Sequence, residues 1–418
     1  MENSYSSPLL FALGINHNTA PIEVREQLYV SEHEVPGLIS RLRESLSECV
    51  VVSTCNRTEI YGVTEGAVSD LDRFKDVLID FKNARGRVSS EHFFEFVSCA
   101  ACRQIFSVAT SVDSKIVGDA QILGQLRKAY SLATEQNASG KVLNQLLQRA
   151  FKVGKRTYND TSIHKGAISV SLSAVELAAK TLGSLENRSV LVIGAGDTAR
   201  MTAECLIRKQ VGNITITNRS RGSAESLLDD LRKQYSFEGR IAEFAGFKRL
   251  LNEIDIVISS TGSEGYVLGQ SDFRLQERRI FLIDIAVPRD IAPEVESNRY
   301  VVLKNIDDLS SHADRNYERR MRDLPRINRI IAKEMGDFLM WYYTIPLMPE
   351  MEKTGTKPGR ATAEEMLRIK SFLRRNVSHL HKLAMNDGSD LKQDLKSHFE
   401  LVELLKEMKA GYFEGVNA

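Results

Sequence analysis

Two short stretches of this chain carry residue types that could act together in one reaction. Near the start, Cys55 stands beside Asn56 and Arg57 after an apolar run, which places a thiol next to a guanidinium. In the middle, residues 194–199 have the G-x-G-x-x-A spacing of a dinucleotide-binding turn. A thiol nucleophile and a nicotinamide site in one chain predict a reaction that forms a thioester and then reduces it.

The glycine turn follows an apolar run and precedes a helical pattern, which is the context that distinguishes it from a plain tight turn. Gly194 permits the tight turn, Gly196 lets the backbone approach a pyrophosphate, and Ala199 allows the helix to pack closely. The helix N-terminus then faces the phosphates. The predicted cofactor contacts come from this turn and from the end of the next strand: Gly194, Ala195, Gly196, Asp197, Thr198, Ala199, Asn218, Arg219 and Ser220.

The end of that next strand also indicates which cofactor binds. NAD-binding turns place an acidic residue on the ribose about 20 residues further on. In this chain Asn218, Arg219 and Ser220 supply no carboxylate, and Arg219 could meet a 2′-phosphate. We therefore expect NADPH rather than NADH, with a merely solvated Arg219 as the alternative.

The role of Cys55 stays open on the residues alone. A lone cysteine is commonly a small buried hydrophobe, and Cys49 and Cys205 fit that description. Cys55 differs because it ends the apolar run and has polar neighbours such as Thr54 and Arg57. A nearby cation favours the thiolate and lowers the thiol pKa from its free value of about 8.5. Nucleophile and buried hydrophobe are both compatible with this pattern.

Other reactive side chains indicate structure rather than chemistry. Cys99 and Cys102 have no second pair at zinc-ligand spacing, so we interpret them as one face of a helix and expect no metal site. His379 and His381 lie among basic residues on a predicted helix, a face that could touch RNA phosphate or simply be solvated.

Composition bounds the class of protein. The chain has 418 residues, with 56 basic and 55 acidic side chains and a net charge of +1, which excludes a generally basic protein but not a local RNA-binding patch. Five cysteines, an odd count without a secretory signal, indicate a reduced cytoplasmic protein. We see no apolar stretch long enough for a membrane span.

Predicted strands and helices alternate along the segments that must position these residues. Strand, helix, strand, turn and strand follow one another up to residue 63, with a capping box at Ser31 and Glu34, and predict a small α+β domain. A mostly helical stretch is expected over residues 93–158, and a hinge within residues 157–166. Apolar runs at 190–193, 214–217, 254–258 and 280–284 alternate with helices and predict a doubly wound parallel sheet.

A charged, helical region follows residue 305. Its apolar positions, among them Ile327, Ile331, Met335 and Phe338, are expected to support dimerisation. Two further helices are expected around residues 364–385 and 391–409.

Several motifs in this order resemble the glutamyl-tRNA reductase family. They are residues 14–17 with 19–21, 53–61, 113–114, 118–125, 166–171, 194–199, 218–220, 259–261 and 284–290. The resemblance covers at least residues 9–310. It implies NADPH-dependent reduction of glutamate-charged tRNA(Glu) to glutamate-1-semialdehyde, the first committed step of tetrapyrrole (porphyrin) biosynthesis.

The resemblance also implies a multidomain α/β architecture. Residues 1–160 would form an α+β catalytic domain that recognises glutamyl-tRNA, and residues 161–304 a Rossmann-like NADPH-binding domain. Residues 305–418 would form a long connecting helix and a C-terminal helical dimerisation domain. The expected partners are charged tRNA, a second copy in a homodimer, and the glutamate-1-semialdehyde aminomutase.

For the site, the resemblance implies that Cys55 is the nucleophile and that Arg57 pairs with a substrate carboxylate in forked geometry. The residues implied to line the glutamate pocket are Thr54, Asn56, Arg57, Ser114, Asp119, Ala120, Gln121 and Gln125. The chain departs from the family at two places. Gln104 stands where a histidine is common, and Asp119-Ala120 where Glu-Pro is usual. Glutamine hydrogen-bonds but carries no proton at neutral pH, so an acid–base role there is in doubt.

Two rival functions follow from these features. An NADP-dependent dehydrogenase of a free metabolite would explain the glycine turn but leave residues 9–160 without a role. A catalytically impaired NADPH- and tRNA-binding regulatory homologue would explain Gln104, although the intact Cys55-Asn56-Arg57 run argues against it.

Overall fold

The computed structural model describes residues 8–65, 71–164, 169–235, 237–309 and 317–343, with a few single positions between 345 and 402. Its strands form two separate sheets, one antiparallel and one parallel. Within the described ranges, no helix is both long and apolar enough to cross a membrane.

The first sheet has four antiparallel strands in the order β2-β3-β1-β4. They are β1 Pro8–Asn16, β2 Glu48–Thr54, β3 Arg57–Glu65 and β4 Phe94–Val97. The three predicted strands are confirmed. Strand β4 was not predicted, because its four residues run into the apolar pattern of the helix that follows.

Six helices surround this sheet. They are α1 Ile22–Arg25, α2 Val35–Leu42, α3 Asp72–Phe81, α4 Cys99–Ala109, α5 Ile122–Glu135 and α6 Lys141–Asp160. Glu34 accepts a hydrogen bond from the Ser31 amide at 2.8 Å, as a capping box requires. However, α2 begins only at Val35, so the box stabilises the turn before the helix. Cys99 and Cys102 do lie on one helix, α4.

The second sheet has six parallel strands in the order β10-β9-β8-β5-β6-β7. They are β5 Ser189–Ile193, β6 Asn213–Thr217, β7 Arg240–Ala242, β8 Ile256–Ser259, β9 Ile280–Asp284 and β10 Val301–Asn305. Helices α7 Val170–Leu182, α8 Asp197–Arg208 and α9 Arg221–Tyr235 belong to this domain. The four predicted strands are confirmed, and the short edge strands β7 and β10 are additions. The strand order reverses at β5, which is where such sheets bind ligands.

The long charged helix is α10, Tyr317–Tyr342. Its apolar positions Ile327, Ile331, Met335 and Phe338 are buried in the core of the first domain, against the chain's own α4 and α6. The expectation that they support dimerisation is therefore wrong, because the chain itself already covers this face. Most of the two helices predicted beyond residue 360 lies outside the described residues, as do His379, His381 and residues 165–166 of the expected hinge.

Candidate active site

Cys55 lies in the tight turn between β2, an edge strand of the first sheet, and β3. Thr54 at the end of β2 pairs with Arg57 at the start of β3, so Cys55 and Asn56 are the two turn residues. The Asn56 amide donates to the Thr54 hydroxyl at 3.2 Å, and the His17 amide donates to the Asn56 carbonyl at 3.0 Å. Two strand ends thus fix the turn, and the thiol is held on a rigid sheet edge rather than on a loop.

The Cys55 side chain is half-buried and packs against the apolar core of the second domain. Burial, and to a smaller extent the Asp119 carboxylate, raise the pKa of the Cys55 thiol to about 12. Arg25 and Arg57 act in the opposite direction but are outweighed. Arg57 does lower the thiol pKa, but the prediction of a lowered pKa overall is wrong, because the effect of burial is larger. At neutral pH the thiol is protonated.

Arg57 is engaged in a buried network of charged groups. Its guanidinium donates to a Glu59 oxygen at 2.6 Å and to the Asp113 carboxylate at 3.0 Å, and also to the Asp113 backbone carbonyl. The Tyr61 hydroxyl donates to the second Glu59 oxygen at 2.6 Å. The side chains of Arg57 and Glu59 are almost completely buried. In this structure the Arg57 guanidinium binds Glu59 and Asp113, and the predicted forked pairing with a substrate carboxylate would require these contacts to be exchanged.

Gln104 is a member of the same network. Its side-chain amide nitrogen donates to Glu59 at 3.1 Å and to Asp113 at 2.9 Å. Each carboxylate therefore receives hydrogen bonds from both Arg57 and Gln104. A neutral donor suits this position, because it satisfies two carboxylates without a proton that could be lost.

Asp119, Ala120 and Gln121 lie together against the second domain. With residues of α7 and α8 they line a cavity of about 360 Å³, and the other lining residues are Ser169, Leu172, Met201, Glu204, Cys205, Arg208 and Lys209. The Gln121 side-chain amide reaches the Met201 sulfur at 3.0 Å. Burial raises the pKa of Asp119 to about 6, although the Gln121 amide bonds its carboxylate at 2.9 Å and opposes the shift.

Five of the eight predicted pocket residues do not line this cavity, and neither does Cys55; they are Thr54, Asn56, Arg57, Ser114 and Gln125. Ser114 is half-buried in the segment after Asp113, and Gln125 is exposed on the first turn of α5. Neither lines the cavity that contains Asp119. The structure thus brings together part of the predicted pocket, not all of it.

The glycine turn has the geometry that a dinucleotide requires. Gly194 has φ of +119°, and a Cβ there would lie 2.8 Å from the Ser260 carbonyl oxygen, so only glycine fits. Gly196 precedes the first residue of α8 and has open space where a Cβ would stand. Ala199 is fully buried in the core. These residues fit a pyrophosphate approaching the N-terminus of α8.

The predicted ribose-side residues lie next to this turn. The Gly194 amide donates to the Thr217 carbonyl at 2.9 Å, which holds the end of β6 beside the turn. The Asn218 side chain donates to the Ser220 carbonyl at 3.0 Å, and Arg219 is exposed. The remaining turn residues Ala195, Asp197 and Thr198 complete the first turn of α8, where the Thr198 carbonyl accepts from Ser171 at 3.0 Å.

Sequence reasoning missed Glu59 and Asp113 as site residues. A signal was present for Glu59, because a carboxylate inside an otherwise apolar strand requires a partner. Asp113 lies 56 positions from Arg57, and no local pattern connects the two.

Comparison with known proteins identifies the family. A family model described as the N-terminal domain of glutamyl-tRNA(Glu) reductase matches residues 13–161, and one for shikimate/quinate 5-dehydrogenase matches residues 176–312. The glutamyl-tRNA reductase of Chlorobium phaeobacteroides is 35% identical over 398 residues, covering 90% of this chain and 92% of that protein. The enzyme of Chlorobium limicola is 38% identical over 347 residues, which is 81% of each chain.

A solved structure is also similar. Glutamyl-tRNA reductase from Methanopyrus kandleri is 28% identical, with a TM-score of 0.46, and the match covers 95% of this chain and 98% of that one. The matches to these two curated relatives cover 92% and 81% of their lengths. The chain belongs to the glutamyl-tRNA reductase family.

Proposed function

We propose that this chain reduces glutamyl-tRNA(Glu) to glutamate-1-semialdehyde with NADPH, which begins tetrapyrrole synthesis. One structural observation supports the proposal in addition to family membership. Cys55 and Ala195 of the glycine turn both border the same apolar cluster in the second domain. Both the thiol and the dinucleotide turn therefore pack against the apolar core of the domain proposed to bind NADPH.

Cys55 is the proposed nucleophile. Its sulfur attacks the ester carbonyl that joins glutamate to the tRNA 3′ end, the ester C–O bond breaks, and the tRNA hydroxyl leaves with a proton. The glutamyl group then remains on Cys55 as a thioester. A thioester accepts hydride more readily than an oxyester, because sulfur donates less resonance to the carbonyl, and this explains a cysteine at this position.

The protonated Cys55 thiol needs a proton acceptor during attack. We assign this role to Asp119, which has the strongest effect of the charged groups on the Cys55 pKa. Its own pKa of about 6, raised by burial, leaves it ionised at neutral pH. Transfer of the thiol proton to Asp119 neutralises the carboxylate that disfavours the thiolate, so no second negative charge is created.

The site residues other than Cys55 have distinct proposed roles. Asp119, Ala120 and Gln121 form the wall of the substrate cavity, and Thr54 and Asn56 frame the thiol. Arg57 and Gln104 fix the base of the turn through Glu59 and Asp113 rather than contacting the glutamate. Ser114 and Gln125 stay predicted pocket residues that a movement of the substrate-bound enzyme would have to recruit.

The chain carries a dinucleotide-binding domain, and we propose NADPH as its cofactor. The residues proposed to hold it are those of the glycine turn together with Asn218, Arg219 and Ser220. When bound, NADPH supplies the hydride that reduces the thioester. Arg219 is exposed beside the turn with no acidic residue next to it, which suits a 2′-phosphate. Replacing Arg219 with Met is expected to weaken NADPH binding while leaving NADH binding unchanged, measured by fluorescence titration.

The proposed domain division stays at residues 1–160, 161–304 and 305–418. The proposed assembly is a homodimer formed by residues beyond α10, and the aminomutase is the proposed acceptor of the labile aldehyde. We place the reaction in the cytoplasm, where charged tRNA and NADPH occur together. A mass measurement in solution tests the dimer directly, since a monomeric mass would contradict it.

A single-turnover assay tests the proposed reaction. Wild type, Cys55→Ser and the control Cys99→Ala are mixed with glutamate-charged tRNA and NADPH, and NADPH oxidation and aldehyde release are followed. Wild type and the control should form aldehyde, and Cys55→Ser should lose about 10³-fold or more of the rate, as removal of a nucleophile does. Full aldehyde formation by Cys55→Ser would refute the thioester route. Wild type that binds both substrates without turnover would favour the impaired homologue.

A further inference from the structure

The two domains are joined by charged contacts around the short helix α1. Arg289, which follows β9 in the second domain, binds Glu26 of the first domain through two guanidinium nitrogens, at 2.7 and 3.0 Å. Its third nitrogen reaches Glu23 at 3.1 Å. The side chains of Arg289 and Glu26 are 9% and 10% exposed. This is a bidentate, largely buried pair, the geometry in which ion pairs are strongest.

A second cluster lies around Asp307, just after β10. Its carboxylate accepts from Arg25 at 2.8 Å, from Lys115 at 2.8 Å and from the Ile22 backbone amide at 3.1 Å. Burial alone would raise the pKa of Asp307, but the hydrogen bonds from Arg25 and Lys115 outweigh it and lower the pKa. Three groups of the first domain thus converge on one carboxylate of the second.

Apolar contacts also join the two domains at α1, and together with the charged contacts they form what we call the joint. Ile22 of α1 and Ile116 are each 2% exposed and belong to the apolar cluster of the second domain rather than to that of their own. Cys55 borders the same cluster. Helix α1 therefore carries both charged contacts and an apolar anchor to the domain against which the thiol rests.

We propose that Arg289 and Asp307 are positioning residues that hold α1 against the nucleotide-binding domain and thereby keep the acylated Cys55 away from water. The proposal rests on the proposed thioester route. A buried ion pair adds little net stability, because burying both charges costs desolvation, but an arrangement that leaves either charge buried without its partner is strongly disfavoured. Paired charges of this kind define one closed arrangement and disfavour a shifted one.

The proposed role concerns the fate of the thioester. With hydride from NADPH and one proton, the acyl carbon becomes an aldehyde, the C–S bond breaks and the Cys55 thiol is released. With water instead, the same C–S bond breaks, but free glutamate and the thiol are formed. Both routes start from the same acyl-enzyme, so their ratio reports how well the joint excludes water and places the two reacting groups.

The experiment measures that ratio in Arg289→Met and Asp307→Asn. Each variant is mixed with charged tRNA and NADPH, and aldehyde and free glutamate are quantified. Without NADPH, the hydrolysis rate of the acyl-enzyme is measured separately. We expect the aldehyde-to-glutamate ratio to fall roughly tenfold or more and hydrolysis without NADPH to accelerate, because small misplacements have effects of this size.

Matched controls separate positioning from stability. Arg149→Met removes another partly buried arginine–carboxylate pair, the 2.8 Å contact with Glu334 on α10, and should leave the ratio unchanged. The charge exchange Arg289→Glu with Glu26→Arg should restore much of the ratio. An unchanged ratio in folded Arg289→Met and Asp307→Asn would overturn the proposal. Absence of any acyl-enzyme in wild type would instead overturn the proposed function.

Discussion

The Cys55 turn and the glycine turn both follow a buried strand, yet they are built in opposite ways. The glycine turn is a site formed by backbone groups: Gly194 adopts a positive φ against the Ser260 carbonyl, and Gly196 directly precedes the N-terminus of α8. The Cys55 turn works through side chains brought from distant parts of the chain, with Arg57 held by Glu59, Asp113 and Gln104. A backbone site is specified locally, whereas a side-chain site depends on the whole domain.

The largest expected effect is at Arg57. Arg57→Met leaves Glu59 and Asp113 facing each other in a buried site, and we expect a loss of about 3–5 kcal/mol in the free energy of unfolding, measured by urea denaturation. The double variant Arg57→Met with Glu59→Gln should recover part of this loss. Arg85→Met, which removes an exposed pair with Asp80, serves as the control and should leave stability essentially unchanged. Equal losses in Arg57→Met and the control would show that the network contributes nothing.

Gln104 gives a sharper test of the same network. Gln104→Glu replaces a donor with an acceptor beside two carboxylates, and should cost about 1–3 kcal/mol at pH 7. Repulsion raises the folded-state pKa of the introduced carboxyl above its unfolded value, so the loss should shrink as pH falls and that group protonates. Gln104→Leu removes the donor without adding charge and should show no such pH dependence. Identical pH behaviour of the two variants would contradict this account.

At the glycine turn the expected effect is local. Gly194→Ala should weaken NADPH binding by roughly tenfold or more, equivalent to about 1.4 kcal/mol, because the backbone must move away from Ser260. Gly183→Ala is the matched control: Gly183 also has a positive φ, of +80°, but nothing lies within 4 Å of the added carbon. Both variants carry backbone strain, so calorimetric titration should separate strain from crowding. Equal NADPH affinities in the two would exclude crowding as the cause.

The smallest expected effect is the decrease of activity on the acidic side of the pH–activity profile. If Asp119 accepts the thiol proton, activity should fall as pH drops through about 6, the pKa to which burial raises it. The loss should be about twofold at that pH and about tenfold for each further unit, as for a single titrating group. Asp119→Asn should be slow at all pH values and lack this decrease. A decrease that persists in Asp119→Asn would assign it to another group.

Sequence alone predicted what depends on local pattern. Strands β1 to β3 follow from their apolar runs, and the glycine turn follows from its spacing. Strand β4 was missed because it runs into the apolar pattern of α4. Strands β7 and β10 were missed because they are the edges of the second sheet and only partly buried, so their apolar pattern is weak. The Arg57–Asp113 pair and the Arg289–Glu26 pair, whose members are separated by 56 and 263 positions, form only once the chain has folded. For α10 the periodicity indicated a buried face but not which surface buries it.

The burial of α10 has a consequence for how binding events communicate. Its apolar face packs within the catalytic-domain core, and Glu334 bonds Arg149 and Lys152 of α6. The antiparallel sheet and α10 therefore form one mechanical body, with the nucleotide-binding sheet as the second. An RNA segment that contacts only α10 would report on the first body and have little thermodynamic linkage to cofactor occupancy. Linkage between RNA and cofactor would then arise through the acylated cysteine and the contacts between the two bodies, which include helix α1, Lys115 with Asp307, and Gln121 with Met201.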